Sequence, residues 1–255
     1  MKIKTKDNFE LDVLYNKIEK AKGVIVFAHG MTVNKDDEGI FVRADKELQK
    51  LGFSTLRFDF RAHGKSQGES VTDFTISNEL KDLDAIMAFV QNEGYSWIGL
   101  AGASFGGGVS ALFAGQHQQL IQKLFLANPV LDYEKCFIKP TTTWAKKHFE
   151  NIFERVEKEG YVKIGSRQFK AGRKLFEEAS IYHPCETLKS YTNPLLIVHG
   201  DQDSKVAFQD VLDCFQDLPS TNKRFEKIED SEHGFHDEPF ETQVTEMIVK
   251  FFTEG

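Results

Sequence analysis

The sequence of 255 residues is poor in cysteine and contains no long apolar run. Its three cysteines, Cys136, Cys185 and Cys214, lie far apart and show neither a CxxC pair nor the spacing of metal ligands. We therefore expect reduced thiols, without a disulfide or a metal site. No segment approaches the length of a membrane span, and the charged start MKIKTKDNFELDV lacks the apolar stretch of a signal peptide. These absences predict a cytoplasmic protein without stable membrane insertion.

Positive charge is also in deficit. Lys and Arg number 32 against 39 Asp and Glu, so the formal net charge is -7. Proteins that bind nucleic acid need clustered cations along the phosphate backbone. Nucleic acid is therefore not an expected partner.

The chain does contain a regular series of short apolar runs separated by helical patterns. Residues 2–17 alternate between apolar and polar side chains, which predicts an antiparallel hairpin. Runs typical of strands buried in a parallel sheet follow at 23–30, 53–60, 96–102, 123–129 and 194–200, with a final strand at 223–230. Helical patterns between them cover 39–51, 75–92 and 105–117. The alternation predicts an α/β fold with a mostly parallel central sheet, helices on both faces and its chemistry beyond the carboxyl ends of the strands.

One connection is longer than a crossover helix requires. It spans residues 131–185 and contains an apolar helical face, a hairpin pattern at 161–172 and a short helix at RKLFEEA. We predict that residues 1–130 and 186–255 form one core. Residues 131–185 would then be a cap inserted over the functional edge of the sheet.

A serine stands in the strand-to-helix turn Gly102-Ala103-Ser104-Phe105-Gly106, which has the G-x-S-x-G spacing. Small residues two before and two after the serine allow strand and helix to approach closely while the serine adopts a strained backbone. A serine in this position is a candidate nucleophile. It then needs a base, an acid that orients the base, and donors for the developing oxyanion.

Acid and base are expected after Ser104 in the chain order Ser, Asp, His. The stretch VHGDQDSKV offers Asp201 and Asp203, and we favour Asp203 because it lies further along the loop, while Asp201 is suited to capping the turn. The stretch DSEHGF offers His233, and His236 follows nearer to the final helix. We favour His233 because it follows a predicted strand and precedes the flexible Gly234.

The oxyanion donors are expected to be the backbone amides of Phe105 and Met31. Phe105 follows the nucleophile, and Met31 lies in the loop AHGMT after an early strand. His29 and His63, which lie in neighbouring turns, are interpreted as structural residues.

Together these residues resemble the α/β-hydrolase fold, and within it the small bacterial carboxylesterases that include the cinnamoyl and feruloyl esterases. The likeness covers most of the chain through five landmarks in order: FAHGMTVNK, RFDFRAHGKSQG, GASFGG, LLIVHGDQDSKV and EDSEHGF. The resemblance implies Ser104 as nucleophile, His233 as general base and acid, Asp203 as its orienting residue and the amides of Met31 and Phe105 as oxyanion hole. The sequence departs from the group at Phe105, where a polar residue is frequent, and at Ala62, where RGHGxS is common.

The predicted function is a serine hydrolase that cleaves carboxylic esters with small to medium or aromatic acyl groups, through an acyl-enzyme on Ser104. No metal or organic cofactor is expected, and the expected partner is a small-molecule ester, with a homo-oligomer left open. Trp144, Phe149, Phe153 and Tyr161 are pocket candidates, although they are also suited to the cap's own core. The same triad would serve a thioesterase, an amidase or peptidase, or a lysophospholipase-like enzyme. A non-catalytic binding protein of this fold is a further alternative.

Overall fold

The pattern of strands and helices expected from the hydrophobic periodicity is present in the computed structural model, which describes residues 1–254. The strands are β1 (Lys2–Lys4), β2 (Glu10–Asn16), β3 (Val24–Ala28), β4 (Ser54–Phe58), β5 (Ile98–Ala103), β6 (Lys123–Ala127), β7 (Tyr161–Ile164), β8 (Phe169–Gly172), β9 (Leu195–Gly200) and β10 (Lys223–Ile228). The helices are α1 (Gly39–Lys50), α2 (Ile76–Asn92), α3 (Ser104–Gln116), α4 (Thr143–Phe149), α5 (Ile152–Glu159), α6 (Arg173–Ala179), α7 (Pro184–Leu188), α8 (Phe208–Asp217) and α9 (Phe240–Thr253), with a π-helical turn at Glu134–Ile138.

Eight strands form one sheet in the order β1-β2-β4-β3-β5-β6-β9-β10. β2 pairs antiparallel with β1 and with β4, and the other neighbouring strands are parallel. This arrangement confirms the predicted α/β class with a mostly parallel sheet. Because parallel strands end at one edge, the turns after β3, β5, β9 and β10 lie near one another.

Two apolar layers cover the sheet. In β3, Val24 and Val26 belong to the layer beneath α2 and α3, whereas Ile25 and Phe27 face the layer beneath α1 and α9. Alternate side chains point to opposite faces of a strand. A strand covered on both faces therefore requires an uninterrupted apolar run, which is the pattern of β3.

Between β6 and β9 the chain leaves the sheet and forms the π-helical turn, α4, α5, the β7–β8 hairpin and α6. The apolar helical face expected within residues 131–185 is divided between two helices. α4 ends at Phe149, and Asn151 adopts a left-handed φ of 53° before α5 begins. The boundaries 131–185 of the cap stay a prediction.

The expectation of three reduced thiols is wrong for two of them. Cys185 in α7 and Cys214 in α8 form a disulfide, with Cα atoms 5.8 Å apart. The chain returns from the cap beside α8, and this proximity is set by the fold and not by the sequence spacing of 29 residues. Cys136 is a buried free thiol.

No helix in residues 1–254 has the length and apolar character needed to cross a membrane. A cytoplasmic location stays a prediction, and the disulfide is more typical of oxidising compartments.

Thiol titration tests the disulfide. Protein purified without reductant and then denatured is expected to show one reactive thiol, from Cys136, and three after reduction. The Cys136→Ser variant is the matched control and should give none before reduction and two after it. Three thiols in the unreduced wild type would contradict the disulfide.

Candidate active site

Ser104 lies at the sharp turn where β5 ends and α3 begins. Its φ is 51°, in the left-handed region that residues other than glycine rarely adopt. A Cβ atom at Gly106 would overlap the carbonyl oxygen of His29, and one at Gly102 would lie 2.7 Å from the carbonyl oxygen of Gly106. The glycines therefore permit the close approach of strand, helix and neighbouring loop that holds Ser104 in its strained conformation.

Ser104, His233 and Asp203 form a continuous hydrogen-bonded chain. His233 Nε2 lies 2.9 Å from Ser104 Oγ, and His233 Nδ1 lies 2.7 Å from Asp203 Oδ2. When Nδ1 carries the proton and donates to Asp203, Nε2 is free to accept the serine proton. The arrangement meets the geometric requirement for an activated serine nucleophile.

Asp203 is buried and fully engaged in hydrogen bonds. Its Oδ1 accepts the backbone amides of Lys205 and Val206, both at 2.9 Å. Burial alone would raise the pKa of the Asp203 carboxyl, but the charge of His233 and the hydrogen bonds from His199 and His233 outweigh burial and hold this pKa well below its usual range. Asp203 therefore stays ionised and can stabilise a positive charge on His233.

The competing residues occupy other positions. Asp201 Oδ1 accepts the backbone amide of Asp230 at 2.8 Å, which ties the loop after β9 to the loop after β10. His236 is exposed, and its ring lies against Gly234. The fold thus brings His233 and Asp203 to Ser104, and not His236 and Asp201.

The backbone amides of Met31 and Phe105 are available beside Ser104. The amide of Gly30 donates to Glu38 and that of Thr32 to His63, but within residues 1–254 the Met31 amide between them has no hydrogen-bond acceptor. The Phe105 amide lies in the first turn of α3, where a helix supplies no acceptor. Both residues line the same cavity as Ser104. Two unpaired donors are thus suited to hold an oxyanion.

The cavity above Ser104 has a volume of about 380 Å³. Ser104 and His233 lie in its wall, and the other lining residues are mostly apolar. Its apolar lining consists of Met31, Val33, Phe105, Val130, Cys136, Phe137, Trp144, Ile164 and Val206, and its polar lining of Thr32, Ser166, Arg167 and Lys205.

Of the aromatic residues predicted for this pocket, Trp144 lines it and the others do not. The prediction is wrong for Phe149, which is fully buried against Trp144 and Phe176 inside the cap. It is also wrong for Phe153, which packs on the same apolar cluster, and for Tyr161, whose ring lies under the ammonium of Lys170. Phe149 and Phe153 therefore belong to the apolar packing of the cap, and Tyr161 stacks with Lys170.

Several lining residues were not predicted from the sequence. Ile164 is the last residue of β7, Gly165, Ser166 and Arg167 lie in the turn that follows it, and Phe137 comes from the π-helical turn. The hairpin itself was expected. The sequence signal for its contribution to the cavity was that its turn lies within residues 131–185, the segment predicted to cover the carboxyl ends of the strands.

His29 and His63 are buried and bind the backbone. The Nδ1 atom of each faces a carbonyl oxygen, at 2.7 and 3.0 Å, while Nε2 faces the amide of Phe60 for His29 and of Thr32 for His63. Burial lowers the pKa of His29 to about 4. Burial and the nearby His29 lower the pKa of His63 to about 3. Both rings are neutral supports of the loops around Ser104, in line with the structural role expected for them.

Sheet topology, the strained turn after β5 and the position of the cavity define an α/β-hydrolase fold. The chain belongs to the family described as serine aminopeptidase, S33, whose model matches residues 19–183. It is therefore a hydrolase of this superfamily.

Solved structures with the same fold include several esterases. Est1E from Butyrivibrio proteoclasticus with bound ferulic acid has a TM-score of 0.81 and 21% identity, with 99% of this chain and 97% of that chain covered. The esterase EaEST from Exiguobacterium antarcticum has a TM-score of 0.71 and 19% identity over 100% and 99%. Mouse alpha/beta hydrolase domain-containing protein 10 has a TM-score of 0.79 and 18% identity over 99% and 97%. A comparison with curated protein sequences found no match.

The burial of His63 predicts a pH-dependent stability. Its pKa is about 3 in the folded state against an ordinary 6.5, so the unfolded chain binds the proton first as the pH falls. The free energy of unfolding therefore decreases below pH 6.5. Between pH 7 and pH 5 this one residue should lower the free energy of unfolding by about 2 kcal/mol. Urea unfolding of His63→Gln should therefore show a correspondingly smaller loss over this interval than the wild type.

The control is His183→Gln, since His183 is exposed. It should lose as much stability as the wild type between the two pH values. An equal loss in His63→Gln and wild type would show that His63 is not held neutral.

Proposed function

We propose that the protein is a serine esterase that cleaves carboxylic esters with small to medium or aromatic acyl groups. The observation that carries the proposal is the hydrogen-bonded chain from Ser104 through His233 to Asp203, beside two unpaired backbone amides. A non-catalytic binding protein has no need for this combination. Buried polar groups and strained backbone lower the stability of the folded state, and such features are typical of catalytic sites.

In the proposed reaction, His233 accepts the proton of Ser104 as Oγ attacks the ester carbonyl carbon. Asp203 keeps the imidazole oriented and stabilises its positive charge. The amides of Met31 and Phe105 hold the negative charge on the carbonyl oxygen. His233 then donates the proton to the leaving alcohol, and water repeats the sequence on the acyl-enzyme.

The cavity supports the proposed substrate size. A volume of about 380 Å³ holds roughly a dozen groups the size of a water molecule, which suits a short aliphatic or a single-ring aromatic acyl chain. Ferulic acid bound to the structurally similar Est1E also supports an aromatic acyl group. A long lysophospholipid chain fits this volume less well. Thioesters share the acyl chemistry and belong in the same substrate panel.

The family description raises aminopeptidase activity as a second candidate. An aminopeptidase has to bind the ammonium group of a peptide N-terminus, for which a carboxylate is the natural partner. Within residues 1–254 the large cavity contains no Asp or Glu side chain and contains the cations Arg167 and Lys205. Its charge therefore favours esters over peptide N-termini.

Replacing the nucleophile tests the proposal. Wild type should hydrolyse 4-nitrophenyl butyrate, and Ser104→Ala should lower kcat/KM by about 10³-fold or more, because the covalent route is lost. The matched control is Ser110→Ala on the same helix, where the buried hydroxyl has no hydrogen-bond partner, and it should retain activity. Aminoacyl nitroanilides are measured in parallel. Cleavage of the anilides without the ester, or an active Ser104→Ala, would contradict the proposal.

A further inference from the structure

Lys205 lies where it can meet a substrate. It follows Asp203 on the loop after β9 and lines the large cavity together with Ser104 and His233. It also lines the adjoining chamber of about 70 Å³, in which Ser104 and His233 again take part. Lys205 therefore lines the same two cavities as Ser104 and His233.

The backbone of Lys205 is held on both sides. Its amide donates to Asp203 Oδ1 at 2.9 Å, and its carbonyl oxygen accepts the hydroxyl of Thr142 from the start of α4 at 3.3 Å. These bonds do not involve the side chain, so its replacement leaves them in place. The ammonium group lies 5.8 Å from the centre of the Trp144 ring, which forms part of the cavity wall.

The charge of Lys205 is not neutralised by the protein. Within residues 1–254 no carboxylate oxygen lies within 4.0 Å of its ammonium nitrogen. The carboxylates near it along the chain have other partners. Asp203 binds His233 at 2.7 Å, Asp201 lies 3.6 Å from Lys227 and Asp210 binds Lys135 at 2.8 Å.

The other cation in the cavity differs in this respect. Arg167 is paired with Asp37 at 2.5 Å and also donates to the carbonyl oxygen of Thr32 at 3.3 Å. In the smaller chamber, Glu38 accepts the amide of Gly30 at 3.1 Å. Lys205 thus supplies the unpaired positive charge of the large cavity, in a protein of net charge -7.

Building on the esterase proposed above, we propose that Lys205 is a specificity-determining residue that selects esters whose short acyl chain carries a carboxylate, such as monoesters of dicarboxylic acids. The apolar wall holds the methylene groups, and the ammonium group of Lys205 donates to the carboxylate. A charge-assisted hydrogen bond in a partly enclosed cavity is stronger than an ion pair at the open surface.

The test compares two esters of similar length, mono-4-nitrophenyl glutarate and 4-nitrophenyl valerate. The ratio of kcat/KM for the anionic to the neutral ester should fall about tenfold in Lys205→Met, with the change mainly in KM. Lys205→Arg, which keeps the charge, should restore most of the ratio. Lys147→Met removes an exposed cation of α4 that does not line the cavity, and should leave the ratio at the wild-type value.

An unchanged ratio in Lys205→Met, or the same fall in Lys147→Met, would overturn the inference. A second measurement does not depend on hydrolysis. Calorimetric binding of monomethyl glutarate to Ser104→Ala should weaken about tenfold when Lys205→Met is added. If no ester is cleaved, the proposed esterase activity fails, and this binding still decides whether Lys205 holds a carboxylate.

Discussion

The close contact between the turn after β5 and the loop after β3 is the constraint on which the site depends. Gly106 packs directly against the carbonyl oxygen of His29, and any larger residue would separate the two segments. The same contact keeps Ser104 at a positive φ and places the free amides of Met31 and Phe105 on the same cavity. The proposed nucleophile and the proposed oxyanion donors therefore depend on one packing arrangement.

The proposed acid and base are positioned by side-chain-to-backbone hydrogen bonds between neighbouring loops. The Asn128 side chain accepts the amide of Gly200 at 3.0 Å, and Asp201 accepts the amide of Asp230 at 2.8 Å. These bonds join the loops after β6, β9 and β10 and do not involve Ser104, His233 or Asp203. His233 and Asp203 then meet because their loops are already fixed, which is the preorganisation that the proposed catalysis requires.

The central sheet and the triad geometry were accessible from the sequence because each depends on a local pattern. Buried strands need continuous apolar runs, and a strained turn needs Gly102 and Gly106 around Ser104. The cap was less accessible. Trp144 and Phe149 lie on one helix, but only Trp144 faces the cavity, because helical spacing does not show which side another segment will cover.

The disulfide and the charged part of the cavity also escaped sequence reasoning. Cys185 and Cys214 meet only after the chain has returned from the cap. Arg167 belongs to no motif, and Lys205 lies in the landmark LLIVHGDQDSKV without a role assigned to it. Their roles depend on which carboxylates the fold leaves free. That information exists only in three dimensions.

Covalent labelling tests the central claim, that Ser104 is a nucleophile activated by His233, most directly. After reaction with a fluorophosphonate probe and proteolysis, mass spectrometry should find one modified peptide, the one that contains Ser104. Labelling should be slower by about 10³-fold or more in His233→Ala. A modified residue other than Ser104, or an unchanged labelling rate in His233→Ala, would contradict the account.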